Sequence, residues 1–176
     1  MRTFPYTIAL LLVALSFSTG CQNSESQNQG AAKDAPFTPG PAPAWTLKDM
    51  DGKTVASTNF LGKVVLLDFW ATWCPPCRQE IPGFINLQTK YGPEGLVVIG
   101  VDVGPEESSV VKDFMKSLGI NYLVVAGDDK IDAAFGGIEG LPTTFVIDRA
   151  GQIVSRHMGF RPEMVFEAAI KPLLQK

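Results

Sequence analysis

Two cysteines three positions apart, Cys74 and Cys77, are the residues of this chain best suited to chemistry; they sit in Trp73-Cys74-Pro75-Pro76-Cys77. In the first turn of a helix such a pair falls within the roughly 4.4–6.8 Å between Cα atoms that a disulfide allows. The first cysteine meets unpaired backbone N–H groups and the positive helix end, both of which favour a thiolate. A dithiol that closes and reopens, with one sulfur activated, moves electrons. Cys74 is therefore the expected nucleophile and the more exposed of the two, and Cys77, one turn further in, the expected resolving thiol. Pro75 and Pro76 remove two backbone N–H donors that could otherwise serve the Cys74 thiolate. That points towards a more reducing pair, or else reflects only a conformational preference of the turn.

A Cys-x-x-Cys pair is also half of a zinc site, which needs two more ligands. The chain offers a third cysteine, Cys21, near its start and a single histidine, His157, so redox chemistry is the better fit and no metal or cofactor is expected. His157 reads as a structural or exposed residue of a strand. Trp73, beside the first cysteine, suits a flat docking surface better than a core position. Asp68 interrupts the apolar run Val64 to Ala71. A carboxyl there is costly unless protonated or partnered, so it is either an acid with a raised pKa or a strand-end carboxylate bonded to backbone.

The elements that must position these residues alternate between strand and helix. Trp45 to Leu47 and Thr54-Val55 flank Asp49-Met50-Asp51-Gly52, a hairpin signal. Val64 to Ala71 and Leu96 to Val103 are nearly continuous apolar runs, as in central strands covered on both faces. Arg78 to Tyr91 has apolar residues at helical spacing, with Pro82 inside, and Ser108 to Leu118 reads as a helix ending near Gly119. A short strand, Tyr122 to Val125, and a short helix, Ile131 to Phe135, precede two strands, Thr143 to Ile147 and Ile153 to His157, joined through Asp148-Arg149-Ala150-Gly151. Pro162 to Leu174 closes the chain as an amphipathic helix. The expected fold class is α/β, a mixed central sheet flanked by helices.

Ahead of this lies a different kind of sequence. Met1-Arg2 is a short basic start, Ile8 to Leu15 an apolar run too short to span a bilayer, and Ser16 to Gly20 is rich in small residues before Cys21. The segment resembles a bacterial lipoprotein signal, in which the cysteine is lipidated; an ordinary secretory signal cleaved nearby is the alternative. Either predicts export. Residues 22–43 are rich in Gln, Asn, Ser, Ala and Pro, with Phe37 almost the sole large apolar residue, and read as a tether with a reach of roughly 25 Å. The expected organisation is a signal peptide over 1–20, a tether over 21–43 and one domain over 44–176. A net charge of −3 lacks the basic excess that nucleic-acid binding calls for.

The string Asp68-Phe69-Trp70-Ala71-Thr72-Trp73-Cys74-Pro75-Pro76-Cys77, with Glu80, Pro82 and Gly140-Leu141-Pro142-Thr143, resembles the thioredoxin fold. In particular it is similar to the membrane-tethered thiol-disulfide oxidoreductases of the TlpA/ResA type, within the AhpC/TSA and redoxin-like superfamily. The extra strand and helix between Gly95 and Leu118 suit that branch, and the expected fold is a thioredoxin fold with this inserted strand-helix element and an N-terminal hairpin. The resemblance implies that Asp68 accepts the proton of the resolving thiol, that Glu80 lines the active-site cavity, and that Leu141-Pro142 is a cis bond. It further implies that the Leu141 backbone pairs with substrate. On its own residues, Glu80 reads equally well as a surface acid favoured by the helix dipole.

The implied activity is reduction of client disulfides outside the cytoplasm, for example in apocytochrome c. Electrons would come from a membrane thiol transporter. Two alternatives share the fold. A copper metallochaperone would use both thiols and His157 but usually has a longer gap between its cysteines. A peroxidase does not normally place its reactive cysteine first in a Cys-Pro-Pro-Cys pair.

Overall fold

The computed structural model describes residues 1 and 39–175; the expected signal peptide, Cys21 and residues 21–38 of the expected tether lie outside that range. Eight strands form one sheet in the order β1-β8-β7-β4-β5-β6-β2-β3. The strands are β1 (Gly40–Pro41), β2 (Thr46–Asp49), β3 (Thr54–Ala56), β4 (Val64–Trp70), β5 (Leu96–Asp102), β6 (Leu123–Ala126), β7 (Thr143–Ile147) and β8 (Gln152–Met158). The helices are α1 (Pro75–Tyr91), α2 (Ser108–Leu118), α3 (Asp129–Ala134) and α4 (Glu163–Leu174). The sheet is mixed: β4, β5 and β6 run parallel, and the remaining pairs are antiparallel.

All seven residues of β4 are buried, because the strand lies between β5 and β7 with packing on both faces. Its side chains alternate. Val64, Leu66 and Trp70 join α1, α2 and α4 in one core, while Val65, Leu67 and Phe69 join α3 and the β2–β3 hairpin in the other. In the first core Phe84 of α1 lies 5.0 Å from Phe166 of α4, and Trp70 lies 5.7 Å from Phe114 of α2. In the second, Phe69, Phe135 and Phe145 pack ring to ring at 5.0–5.9 Å. The chain crosses from one face to the other through short turns, and Gly119 and Gly95 take the left-handed conformation that ends a helix or turn where a side chain would be strained.

The differences from the sequence reading are local. Helix α1 begins at Pro75, so the two cysteines occupy its cap and first turn as expected, although the apolar spacing along it starts only at Ile81. Proline is well suited to the opening positions of a helix, since the N–H it lacks has no partner within the helix there. The sheet also begins before the expected domain start at Ala44, because Gly40 and Pro41 pair with Ile153 and Gln152. A Gly-Pro step lacks side-chain pattern, so periodicity gives no sign of it.

Candidate active site

Cys74 caps α1 and is joined to Cys77 by a disulfide, with 5.3 Å between the Cα atoms. Pro75 and Pro76 carry no N–H, so the first available donor is Cys77 N–H, which points at Cys74 Sγ across 3.3 Å. In the disulfide both cysteines are nearly enclosed, Cys74 at 2% and Cys77 at 1% exposure. The exposed neighbour is Trp73, at 58%.

Asp68 projects from β4 on the face it shares with Leu66 and Trp70, whose core also contains both cysteines. It is 3% exposed and accepts a hydrogen bond from the Thr144 hydroxyl at 3.1 Å. Burial pushes its pKa up to about 7, opposed only in part by that hydrogen bond. Glu80 is also 3% exposed, which decides its two readings: it faces inward from α1. Burial raises its pKa to about 8, and the charge of Asp68 adds to the rise. One Glu80 oxygen accepts the Arg161 backbone N–H, while the other is buried without a partner. Tyr122 shares this interior, its phenol pushed upward first by burial and then by the charges of Asp68 and Glu80.

The Leu141-Pro142 bond is cis, and the carbonyl of Pro142 accepts Gly159 N–H at 2.7 Å. That bond ties the loop to the β8–α4 connection, whose Arg161 reaches Glu80. Leu141 and Pro142 thus enter the same neighbourhood as α1 from the loop that leads into β7, the strand beside β4 in the sheet. His157 is half-buried, 5.4 Å edge-on from the Phe166 ring and with Nε2 3.2 Å from Ser155 Oγ, a packed position. Among the described residues no group of three or more His, Cys, Asp or Glu converges as a metal site would require.

Three participants escaped the sequence. Thr144 had a faint signal, since it faces the same side as Asp68 if β4 and β7 are neighbours. Tyr122 and the Arg161 backbone had none, as each is brought in by chain that is remote in sequence. A second acidic pair is Glu106 and Asp102: Thr72 donates its hydroxyl to Glu106 at 2.9 Å, and Asp102 is raised to about 6, chiefly by burial and in part by Glu106.

This chain matches the AhpC/TSA family over residues 40–156. It belongs to that family. It is 38% identical over 113 residues to thiol-disulfide oxidoreductase ResA of Bacillus subtilis (strain 168), a match spanning 64% of this chain and 63% of that protein. It is 33% identical over 176 residues to thiol:disulfide interchange protein DsbE of Pasteurella multocida, covering 98% of this chain and 94% of that protein. The crystal structure of a thioredoxin-family thiol:disulfide interchange protein from Chlorobium tepidum superposes with a TM-score of 0.71 at 37% identity, over 80% of this chain and 99% of that one. This AhpC/TSA-family chain is a thiol-disulfide oxidoreductase with the thioredoxin fold, as the motif resemblance implied.

Proposed function

We propose that this oxidoreductase works outside the cytoplasm as a reductant of client-protein disulfides, apocytochrome c among them, with electrons supplied by a membrane thiol transporter. The reading is supported most by Asp68, a buried carboxyl with a pKa near neutrality on the face of the sheet that carries the disulfide. In the reduced protein the Cys74 thiolate attacks one sulfur of a client disulfide. The client disulfide breaks, a Cys74–client bond forms, and the departing client sulfur takes a proton from water. Asp68 then accepts the Cys77 proton, and the Cys77 thiolate attacks Cys74 Sγ. The second client sulfur leaves as a thiolate that takes its proton from water, Asp68 returns its own proton to solvent, the Cys74–Cys77 disulfide forms, and two electrons have passed to the client. Trp73 and the Leu141-Pro142 backbone form the surface on which the client lies, and Glu80 sets the charge of the interior that Cys77 faces.

The proposed organisation keeps a signal peptide over 1–20 and a tether from Cys21, lipidated at the membrane, leading into the folded domain. The test is a Cys77→Ser variant expressed in cells with the leader intact. Client proteins should accumulate disulfide-bonded to Cys74 and be released by dithiothreitol. If Cys74 stays reactive towards a maleimide yet traps nothing, the exchange mechanism fails.

A further inference from the structure

The exposed Trp73 has little of its own to hold it. Among the described residues no ring contact and no side-chain hydrogen bond fixes its indole. Its aim is therefore set by the backbone that carries it. Cys74 N–H donates to the Ala71 carbonyl at 3.2 Å, so Ala71 to Cys74 form a β-turn with Thr72 and Trp73 at its centre. That bond closes the turn but leaves its orientation over the sheet to whatever else grips it. Thr72, 9% exposed, supplies the grip: its hydroxyl donates to Glu106 Oε1 at 2.9 Å.

Glu106 lies in the connection between β5 and α2, which is built to present it. β4 and β5 run parallel with Trp70 opposite Asp102, and Val103 N–H donates to the Trp70 carbonyl at 2.9 Å, so the two strands release their chains side by side. Gly104 N–H bonds back to Asp102 Oδ1 at 3.3 Å, and the fixed φ of Pro105 follows just before Glu106. A Cβ on Gly104 would collide with Glu106 Oε2, so the missing side chain makes room for the carboxylate over the backbone. Oε2 is buried and has no hydrogen-bond partner. Leaving one carboxylate oxygen unmet is costly and calls for an explanation. The bond to Thr72 is the one hydrogen bond this side chain makes among the described residues.

We propose that Glu106 is a positioning residue for client recognition: through Thr72 it locks the Ala71 to Cys74 turn to the β5–α2 connection and so aims Trp73 at the client. The inference rests on the docking role proposed above for Trp73. A turn already fixed in the free protein has less conformational freedom to lose when a client binds. Cys74 has a second anchor, since its carbonyl accepts Arg78 N–H at 3.1 Å in the first turn of α1. Loss of the Glu106 bond is therefore felt at Trp73 and in client affinity more than at the sulfur.

The test measures reduction of insulin and of a small aromatic disulfide by the full chain. Glu106→Ala and Thr72→Val should each raise KM for insulin about fivefold, with kcat and the rate on the small disulfide within about twofold of the parent. Glu106→Gln and Thr72→Ser, which keep the acceptor and the hydroxyl, should stay close to the parent. Thr72→Val combined with Glu106→Ala should be no worse than either alone, because both remove one bond. The proposal is overturned if Trp73→Ala raises KM while Glu106→Ala and Thr72→Val do not. It is equally overturned if Glu106→Gln does as much damage as Glu106→Ala, or if the two single effects add. A Trp73→Ala variant with unchanged KM instead defeats the docking role, and backbone dynamics then decide the positioning. The Trp73 amide order parameter should be about 0.85 in the parent and fall below about 0.6 in Glu106→Ala and Thr72→Val. A parent value already below about 0.6, or no fall in the folded variants, overturns the positioning whether or not Trp73 docks a client. Should no variant fold, the parent value decides.

Discussion

At the scale of single residues, the reactive dithiol depends on the proton accounting around it. Asp68 is poised to take a proton near neutral pH because burial penalises its charged form more than the Thr144 hydroxyl relieves it. Asn at this position keeps the shape and the hydrogen bond to Thr144 but cannot accept a proton. Asp68→Asn should slow disulfide exchange at pH 7 by about 100-fold, with the loss shrinking as pH rises and solvent deprotonates Cys77 directly. Single-turnover reduction of a model disulfide across a pH series measures this; an unchanged rate at pH 7 removes Asp68 from the proton transfer. Trp73, exposed and assigned to the proposed docking surface, would act by contact alone. Trp73→Ala should raise KM for a protein client several-fold and leave reaction with a small aromatic disulfide nearly unaltered, because the small reagent needs no docking surface.

At the scale of elements, the first turn of α1 controls the sulfur it carries. Cys77 N–H is the donor aimed at Cys74 Sγ because Pro75 and Pro76 have none. Restoring an N–H with Pro76→Ala adds a donor at the thiolate end of the helix. The Cys74 pKa in the reduced protein should fall, by up to about one unit, and the pair should become more oxidising. Thiolate absorbance on pH titration gives the first and equilibration against glutathione the second. A Cys74 pKa that does not fall would mean that the prolines serve the shape of the turn alone. The other end of the site relies on α4 packing against α1. Phe166 is 1% exposed and stacks near Phe84, so Phe166→Ala should cost about 3–5 kcal/mol in urea unfolding.

At the scale of the whole molecule, the buried acids make stability depend on pH. Asp68 and Glu80 have folded pKa values of about 7 and about 8, above their ordinary values of roughly 4 when unfolded. Between those limits the folded protein holds protons that the unfolded chain has released. Their contribution is therefore complete below about pH 4 and is lost as pH rises through 7 and 8. Glu167 works in the opposite sense: hydrogen bonds from Lys90 and Tyr91 hold it at about 2, so its contribution is present above its unfolded value and lost as pH falls. Thermal unfolding of the oxidised protein should show Tm falling by about 5 °C or more from pH 5 to pH 8.5. In Asp68→Asn with Glu80→Gln the fall should shrink to the smaller part due to Asp102, raised to about 6; an undiminished fall in the double variant would refute the assignment. Much of this molecule was legible beforehand. Cys74, Cys77 and the cis loop at Leu141-Pro142 stand in short motifs whose spacing and neighbours are local, and β4 announces itself by an unbroken apolar run. Asp68 stood out for the same reason, as a charge inside that run. The sequence by itself determined the dithiol, the α/β order and the family, because periodicity, turn residues and motif spacing are properties of adjacent positions. Only the tertiary structure decided that Glu80 faces inward and that both sulfurs are enclosed. It also set Tyr122, Thr144 and the Arg161 backbone around the acids. Burial and desolvation depend on what distant chain covers a group, and that is settled by packing across the sheet.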